Sequence, residues 1–212
     1  MVSGGGTALQ NAINAATAGD TLLVGPGTYT PSPGLSGINV TKALTITSSS
    51  GAGSTFIAGA SGVSGSVAVH IRASNVVLKG FGISGGGFGV LTTDLGGATL
   101  SNIVISELVI TTDSGNPGHG VLLEKTTDSR VDEVTVTRAQ ANGILIDDNS
   151  MRNVVNHCNV LSTETQHSYA IKNSHDNIIS HCSSTFSAAD SAIVLGGDRN
   201  TIKHCTFSSH FV

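Results

Sequence analysis

The side chains with chemistry in them recur at a nearly constant distance. Glu124 and Asp147 are 23 residues apart, Asp148 follows at once, and Lys172 lies 25 residues beyond Asp147. If that step returns the chain over itself, two carboxylates stand side by side. Their mutual repulsion raises the pKa of one, which suits them to acid–base and nucleophilic work at a glycosidic bond. With Asp148 the same groups offer oxygens to Ca²⁺, leaving Lys172 as a base for proton abstraction beside a uronate. The catalytic candidates are therefore Glu124, Asp147 and Lys172, and the candidate metal ligands are Asp147 and Asp148. Against both chemistries stands the plainer reading, that these are solvated charges where strands run into turns.

His157, His181 and His204 keep the same step, each directly before a cysteine, Cys158, Cys182 and Cys205. Three imidazoles in a row could comb a metal. Stacked strands would hold them about 4.8 Å apart, however, wider than a tetrahedral zinc shell prefers. As corner residues they would instead crowd one another and make the column sensitive to mildly acidic pH. The three thiols read as small apolar groups stacked in a core, with parallel side-chain vectors that make a disulfide awkward.

The elements that position these groups show in a repeated phrase. Asn153-Val-Val-Asn-His-Cys-Asn-Val160, Asn177-Ile-Ile-Ser-His-Cys182 and Asn200-Thr-Ile-Lys-His-Cys-Thr-Phe207 are one pattern. Reduced to apolar-x-x-apolar-x-apolar, it extends upstream to Val131/Val134/Val136, Ile105/Leu108/Ile110 and Leu78/Phe81/Ile83, in steps of 27, 26, 24, 24 and 23. A β-rich period in the twenties with no helical signal between repeats is a solenoid. Within each phrase the apolar residues at the first and fourth positions would face opposite ways in a straight strand, so the chain bends at the third position. That position holds Gly80, Glu107, Glu133, His157, His181 and His204. Glycine suits a left-handed corner and histidine tolerates one, whereas glutamate is not enriched there.

A second phrase, Gly120-Val-Leu-Leu, Gly143-Ile-Leu-Ile, Ala170-Ile-Lys and Ala192-Ile-Val-Leu, supplies another strand per coil. With Val121, Ile144, Ile171 and Ile193 inward, alternation points Leu122, Leu145, Lys172 and Val194 outward, and Glu124, Asp147 and Ser174 two residues on. Those outward aliphatics, with Leu91, would lie under a loop or meet a partner. At the N-terminus, Thr7-Ala-Leu-Gln10 is a capping box. Leu9, Ala12, Ile13 and Ala16 share one helix face to about Thr17, with Gly19 as the stop. That helix would cover the open end of the stack. A loop near Asp113 to Pro117 absorbs the long step between Gly89 and Gly120.

Ala8-Leu-Gln-Asn-Ala-Ile-Asn-Ala-Ala16 followed by Gly19-Asp-Thr-Leu-Leu-Val-Gly-Pro-Gly-Thr-Tyr29 resembles the N-terminal signature of right-handed parallel β-helix proteins of the pectate-lyase-like superfamily. Ile38–Ile46, Ser54–Gly59 and Asn75–Phe81 are similar to its next coils. The resemblance implies an all-β, right-handed parallel β-helix (solenoid) with an N-terminal capping α-helix. It implies a single domain over 1–212, with cap helix and first strand in 1–30 and coils in 31–212. It also implies a catalytic face on the outside of the second-phrase strands. Lyases, hydrolases, esterases, epimerases, phage adhesins and non-catalytic surface proteins share this fold, so two functions follow from it. One is a carbohydrate-active protein, a polysaccharide lyase or glycoside hydrolase, that binds or cleaves an extracellular acidic polysaccharide. The other is a non-catalytic structural or adhesin solenoid binding a partner through its faces. Gly118-His119-Gly120 resembles a motif of the polygalacturonase branch, but the Asp-Asp pair that should precede it and the Arg-x-Lys that should follow are missing.

Charge narrows the partners. With Lys and Arg at 10, Asp and Glu at 14 and a net charge of -4, no basic stripe exists for nucleic acid. No apolar run approaches a membrane span, and Met1-Val-Ser-Gly-Gly-Gly lacks the regions of a secretory leader. The resemblance nevertheless points to an extracellular or cell-surface protein. The last repeat is followed by no amphipathic cap, which predicts either an oligomer or a longer protein of which this is the N-terminal part.

Overall fold

A computed structural model describes residues 1–113 and 118–208; most of the expected loop near Asp113 to Pro117 lies outside them. The chain winds as a right-handed parallel β-solenoid whose coils each contribute to three sheets. The first sheet has eight strands from Thr21–Val24 to Thr201–Lys203. The second has eight from Gly27–Tyr29 to Thr206–Phe207, and the third has seven from Ile38–Val40 to Ala192–Leu195. All pairings are parallel, so the amide groups of each interior strand are satisfied by the coils on either side.

The ladder phrase spans the first and second sheets, and its apolar residues stack as expected. Leu78, Ile105, Val131, Val155 and Ile179 form one buried column, and Phe81, Leu108, Val134, Cys158 and Cys182 another. Cys205 continues the second column, partly exposed in the last coil, and all three thiols are free. Each buried aliphatic contributes about 1.5–3 kcal/mol relative to exposure. Between the columns the chain turns through the left-handed region, at φ 54 for Glu107 and Glu133 and φ 50, 52 and 53 for His157, His181 and His204. The glutamates occupy a conformation their residue type disfavours by about 1–2 kcal/mol. They are held there because both flanking strands are locked in register by neighbouring coils. A second corner carries Asn75, Asn102, Asp128, Arg152, Asp176 and Arg199 at φ 56–58, 54 or 51.

The helix, Ala8–Ala15, ends two residues before the expected Thr17. Thr7 makes no capping bond from its side chain. Gln10 is not its partner either: its amide accepts from the N–H of Asn39 at 2.8 Å and donates to the Asn39 carbonyl at 3.2 Å. It thus fastens the helix to the third sheet. Lys42 closes the other end by donating to the carbonyls of Ile13, Asn14 and Ala16. Leu9 and Ile13 cover the end of the core, as the apolar face predicts.

The second phrase is out of register with the structure in its last two repeats. The paired residues are Val121, Ile144, Tyr169 and Ala192, so Gly120 and Gly143 correspond to Ser168 and Ser191, not to Ala170 and Ala192. The reason is packing. A Cβ at Gly120 would stand 2.7 Å from the Val136 side chain, and one at Gly143 would stand 2.6 Å from that of Val160. In the next coil Val160 is succeeded by Ser184, and Ser168 takes the glycine's place. The small residue changes strands, and the signal in the sequence moves with it. Both serine hydroxyls are buried without a partner. Ser168→Ala is therefore expected to raise the unfolding free energy by about 1 kcal/mol, because it removes an unsatisfied polar group at little cost in volume. Chemical denaturation of the two proteins checks it.

Candidate functional site

The outer face of the third sheet gathers the charged candidates. Glu124 pairs with Asp147, and Lys172 with Leu195, while Ile146 pairs with Ile171. Lys172 is therefore level with Asp147 and Glu124, not with Leu145. Glu124, Asp147 and Lys172 occupy successive rungs of one outward column, about 4.8 Å apart. Three other expectations for this strand change with the register. Ser174 is fully buried, its hydroxyl donating to the Lys172 carbonyl at 2.7 Å and accepting from the N–H of Ser150 at 3.2 Å. Val194 pairs with the core residue Ile171, and Ile193 falls in the outward column. Leu91, Leu122 and Leu145 do face outward in register, yet Leu145 is only 3% exposed.

Elsewhere in the molecule charges pair across rungs. Arg152 clamps Asp128 through two bonds of 2.7 Å, Arg199 holds Asp176 at 2.6 and 2.8 Å, and Lys79 meets Glu107 at 2.8 Å. The guanidinium of Arg152 holds the Asp128 carboxyl below its ordinary range, and that of Arg199 does the same for Asp176. Glu124, Asp147 and Lys172 form no ion pair of this kind, although opposite charges occupy neighbouring rungs. The carboxylate of Asp147 accepts only the N–H of Asp148, at 2.7 Å.

Above them, His119 sits at the entry to the strand Val121–Glu124. Its Nδ1 accepts from the backbone N–H of Asn142 at 3.1 Å, so the hydrogen is on Nε2. The buried Asn142 amide in turn donates to Gln166 at 2.7 Å and accepts from the N–H of His167 at 3.2 Å. Burial, and then the charge of Lys172, push the imidazole down to about 4, so it is neutral at pH 7. Phe88 meets it edge-on at 5.4 Å.

The calcium reading does not fit the donors present. Asp148, at φ 51, turns its carboxylate to Lys125 at 3.5 Å, while Asp147 is bonded to the intervening N–H. Among the described residues no three His, Cys, Asp or Glu side chains come together as a metal site. The histidine column is likewise no comb. The rings of His157 and His181 stack with centroids 5.2 Å apart, and that of His204 lies tilted against His181 at 5.0 Å, in a file of rings and not a cluster around one point. The two tyrosines, Tyr29 and Tyr169, are wholly inside the rod, so neither is a platform for a sugar. Tyr169 donates to backbone carbonyls of Cys158 or Ser183 there.

A feature that the repeats carried in plain view is an asparagine ladder. Asn153, Asn177 and Asn200 open the three phrases, and each side-chain oxygen accepts the N–H one coil up, from Ser129, Asn153 and Asn177. The signal was the identical first letter of each phrase.

No helix among the described residues is long and apolar enough to cross a membrane. No curated protein matches the sequence. Among solved structures, the catalytic domain of a GH87 α-1,3-glucanase, bound to tetrasaccharides, aligns over 98% of this chain and 44% of its own, at 12% identity and a TM-score of 0.66. An alginate lyase from Paenibacillus sp. str. FPU-7 aligns over 99% and 98%, at 13% identity and a TM-score of 0.60. ORF18 of Geobacillus virus E2 aligns over 96% and 49%, at 14% and 0.55. The chain thus spans less than half of the glucanase domain, and identities this low establish a shared fold, one used by carbohydrate-active enzymes. The model of the right-handed beta helix region matches residues 35–171, about two thirds of the sequence, and the chain belongs to that family.

Proposed function

We propose that this chain binds an acidic extracellular polysaccharide along the outer face of the third sheet, with Glu124, Asp147 and Lys172 in contact with it. The observation that carries the reading is the unpaired column. Where Lys79 and Glu107, Arg152 and Asp128, and Arg199 and Asp176 close on one another across rungs, these three make no ion pair, at a repeat of about 4.8 Å that matches roughly one sugar per coil. The carboxylates accept hydroxyl hydrogens of the sugar, and Lys172 takes an anionic substituent. The glucanase and the lyase of the same fold act on polysaccharides, which supports the substrate class.

Cleavage is the further step. Glu124 and Asp147 stand on adjacent rungs, a separation compatible with the ~5–5.5 Å between carboxyl groups in retaining hydrolysis. Lys172 one rung on is instead a candidate base for elimination. A panel of acidic polysaccharides separates these outcomes: elimination leaves an unsaturated product that absorbs in the ultraviolet, and hydrolysis releases reducing ends without it. Lys172→Met and the double variant Glu124→Gln, Asp147→Asn are each expected to weaken binding about tenfold, on the order of 1.4 kcal/mol. If both bind like the parent and no polymer is cut, the face is inert and the non-catalytic solenoid reading takes its place.

A further inference from the structure

The outward column does not begin at Glu124. Ile71 pairs with Thr92 and Thr92 with Leu123, so the next residues, Arg72, Thr93 and Glu124, continue the column upward. The amide of Arg72 donates to Val40 and that of Thr93 to Ile71, as strand residues do. From Arg72 to Lys172 is four rungs, about 19 Å at ~4.8 Å per rung.

Arg72 is unusual among this molecule's cations. Of the 10 Lys and Arg, six sit in ion pairs with carboxylates: Lys79, Lys125, Arg130, Arg138, Arg152 and Arg199. Lys42 caps the helix. That leaves Arg72, Lys172 and the exposed Lys203, so two of the three unpartnered cations share one column. The Nε of Arg72 is shielded from solvent and has no acceptor. A shielded N–H without an acceptor is destabilising, and an incoming anion would supply the missing acceptor.

The groups around it do not supply that anion. His70 is one residue-pair over on the same face, its Nε2 donating to the Thr93 carbonyl at 3.2 Å. Burial, then the Arg72 charge, keep the ring below its ordinary pKa and so uncharged at neutral pH. Asp94, next along the chain, spends a carboxylate oxygen on the N–H of Ala98 at 3.1 Å and makes no ion pair with Arg72.

We propose that Arg72 is an anion subsite for the same polymer, two rungs before Glu124, and that the bound polysaccharide lies parallel to the rod axis. The ligand group is a carboxylate or sulfate on a sugar, gripped by the guanidinium fork, with Lys172 taking a second anionic group about four sugars away. Glu124, Asp147 and Thr93 meet hydroxyls in between. This rests on the polysaccharide reading of the face and adds the polymer's direction and one recognition residue.

The test is binding of oligouronate hexamers, oligouronate dimers, carboxyl-reduced hexamers and sulfated oligogalactan hexamers by the whole chain, by Arg72→Met and by Lys172→Met. Arg72→Met is expected to lose about tenfold on anionic hexamers, to flatten the salt dependence, and to bind carboxyl-reduced hexamers like the parent. It should melt no lower than the parent, because the guanidinium has no internal partner to lose. A dimer cannot reach both cations, so the two variants should not weaken dimer binding together. Which anionic hexamer shows the loss distinguishes carboxylate from sulfate. If Arg72→Met melts early, Arg72→Lys, which keeps the charge but not the fork, is expected to fold and bind with intermediate affinity. Parental binding of hexamers by Arg72→Met while Lys172→Met loses affinity would overturn the subsite and leave the face reading intact. Failure of the parent to bind any anionic hexamer would end both.

Discussion

Asn177→Ala lowers the unfolding free energy by about 4 kcal/mol, the largest effect expected of any single polar substitution in the rod. Asn177 is fully buried. Its Oδ1 accepts from the N–H and the side-chain amide of Asn153, each at 3.0 Å. Its Nδ2 donates to the Ser150 carbonyl at 3.0 Å and to Asn200 at 3.2 Å. Truncation strands a backbone N–H, a backbone carbonyl and part of two amides in a place water does not reach. Each orphaned group costs about 1–3 kcal/mol, and the void adds to it. Asn11→Ala, on the exposed side of the helix, should stay within about 0.5 kcal/mol of the parent. Urea denaturation of the two variants checks the contrast. Equal losses would mean that the ladder is no more than surface decoration.

Acid is the second large effect. A histidine held neutral when folded, at about 4 for His119 against an ordinary 6.5, binds its proton more readily in the unfolded chain. Between those two values the unfolded state carries more protons, so stability rises with pH through the window and is lost as pH falls from 6.5 toward 4. The loss from this one group is about 3 kcal/mol. His70 is shifted in the same direction and adds to it. The carboxyls of Asp128 and Asp176, lowered by their arginine partners, act at still lower pH, below their ordinary value of 3.8. His119→Gln keeps an acceptor for the Asn142 N–H and has nothing to titrate. Its melting temperature is expected to fall less than the parent's between pH 6.5 and 4, and parallel curves would show that the imidazole does not govern the window. If the third-sheet face binds anions as proposed, a bound oligouronate offsets the Lys172 charge, and the His119 resonance should titrate at higher pH in the complex.

The period in the twenties was enough to read the winding of the chain, because a solenoid repeats the same environment at the same residue spacing. It placed Leu78, Ile105, Val131, Val155 and Ile179 above one another and put the three cysteines in one stack, of which Cys158 and Cys182 are buried and Cys205, in the last coil, is partly exposed. It also located the corner at Gly80, Glu107, Glu133, His157, His181 and His204, the glutamates against their own preference. Gln10 was misread for a different reason. A capping box is a local pattern, and a partner 29 residues away, Asn39, outcompeted the local one.

What the chain's own pattern determined, then, is the rod: its coils, its inward columns and the corners between them. What only the tertiary structure decided is which outward charges share a rung and which of them find a partner. Register between coils is set by core volume, as when Ser168 and Ser184 replace Gly143 and Val160, and that exchange leaves no fixed spacing along the chain. A side chain pointing outward carries no periodic constraint of its own, so the alignment of Arg72 with Glu124, Asp147 and Lys172 exists only once the coils are stacked.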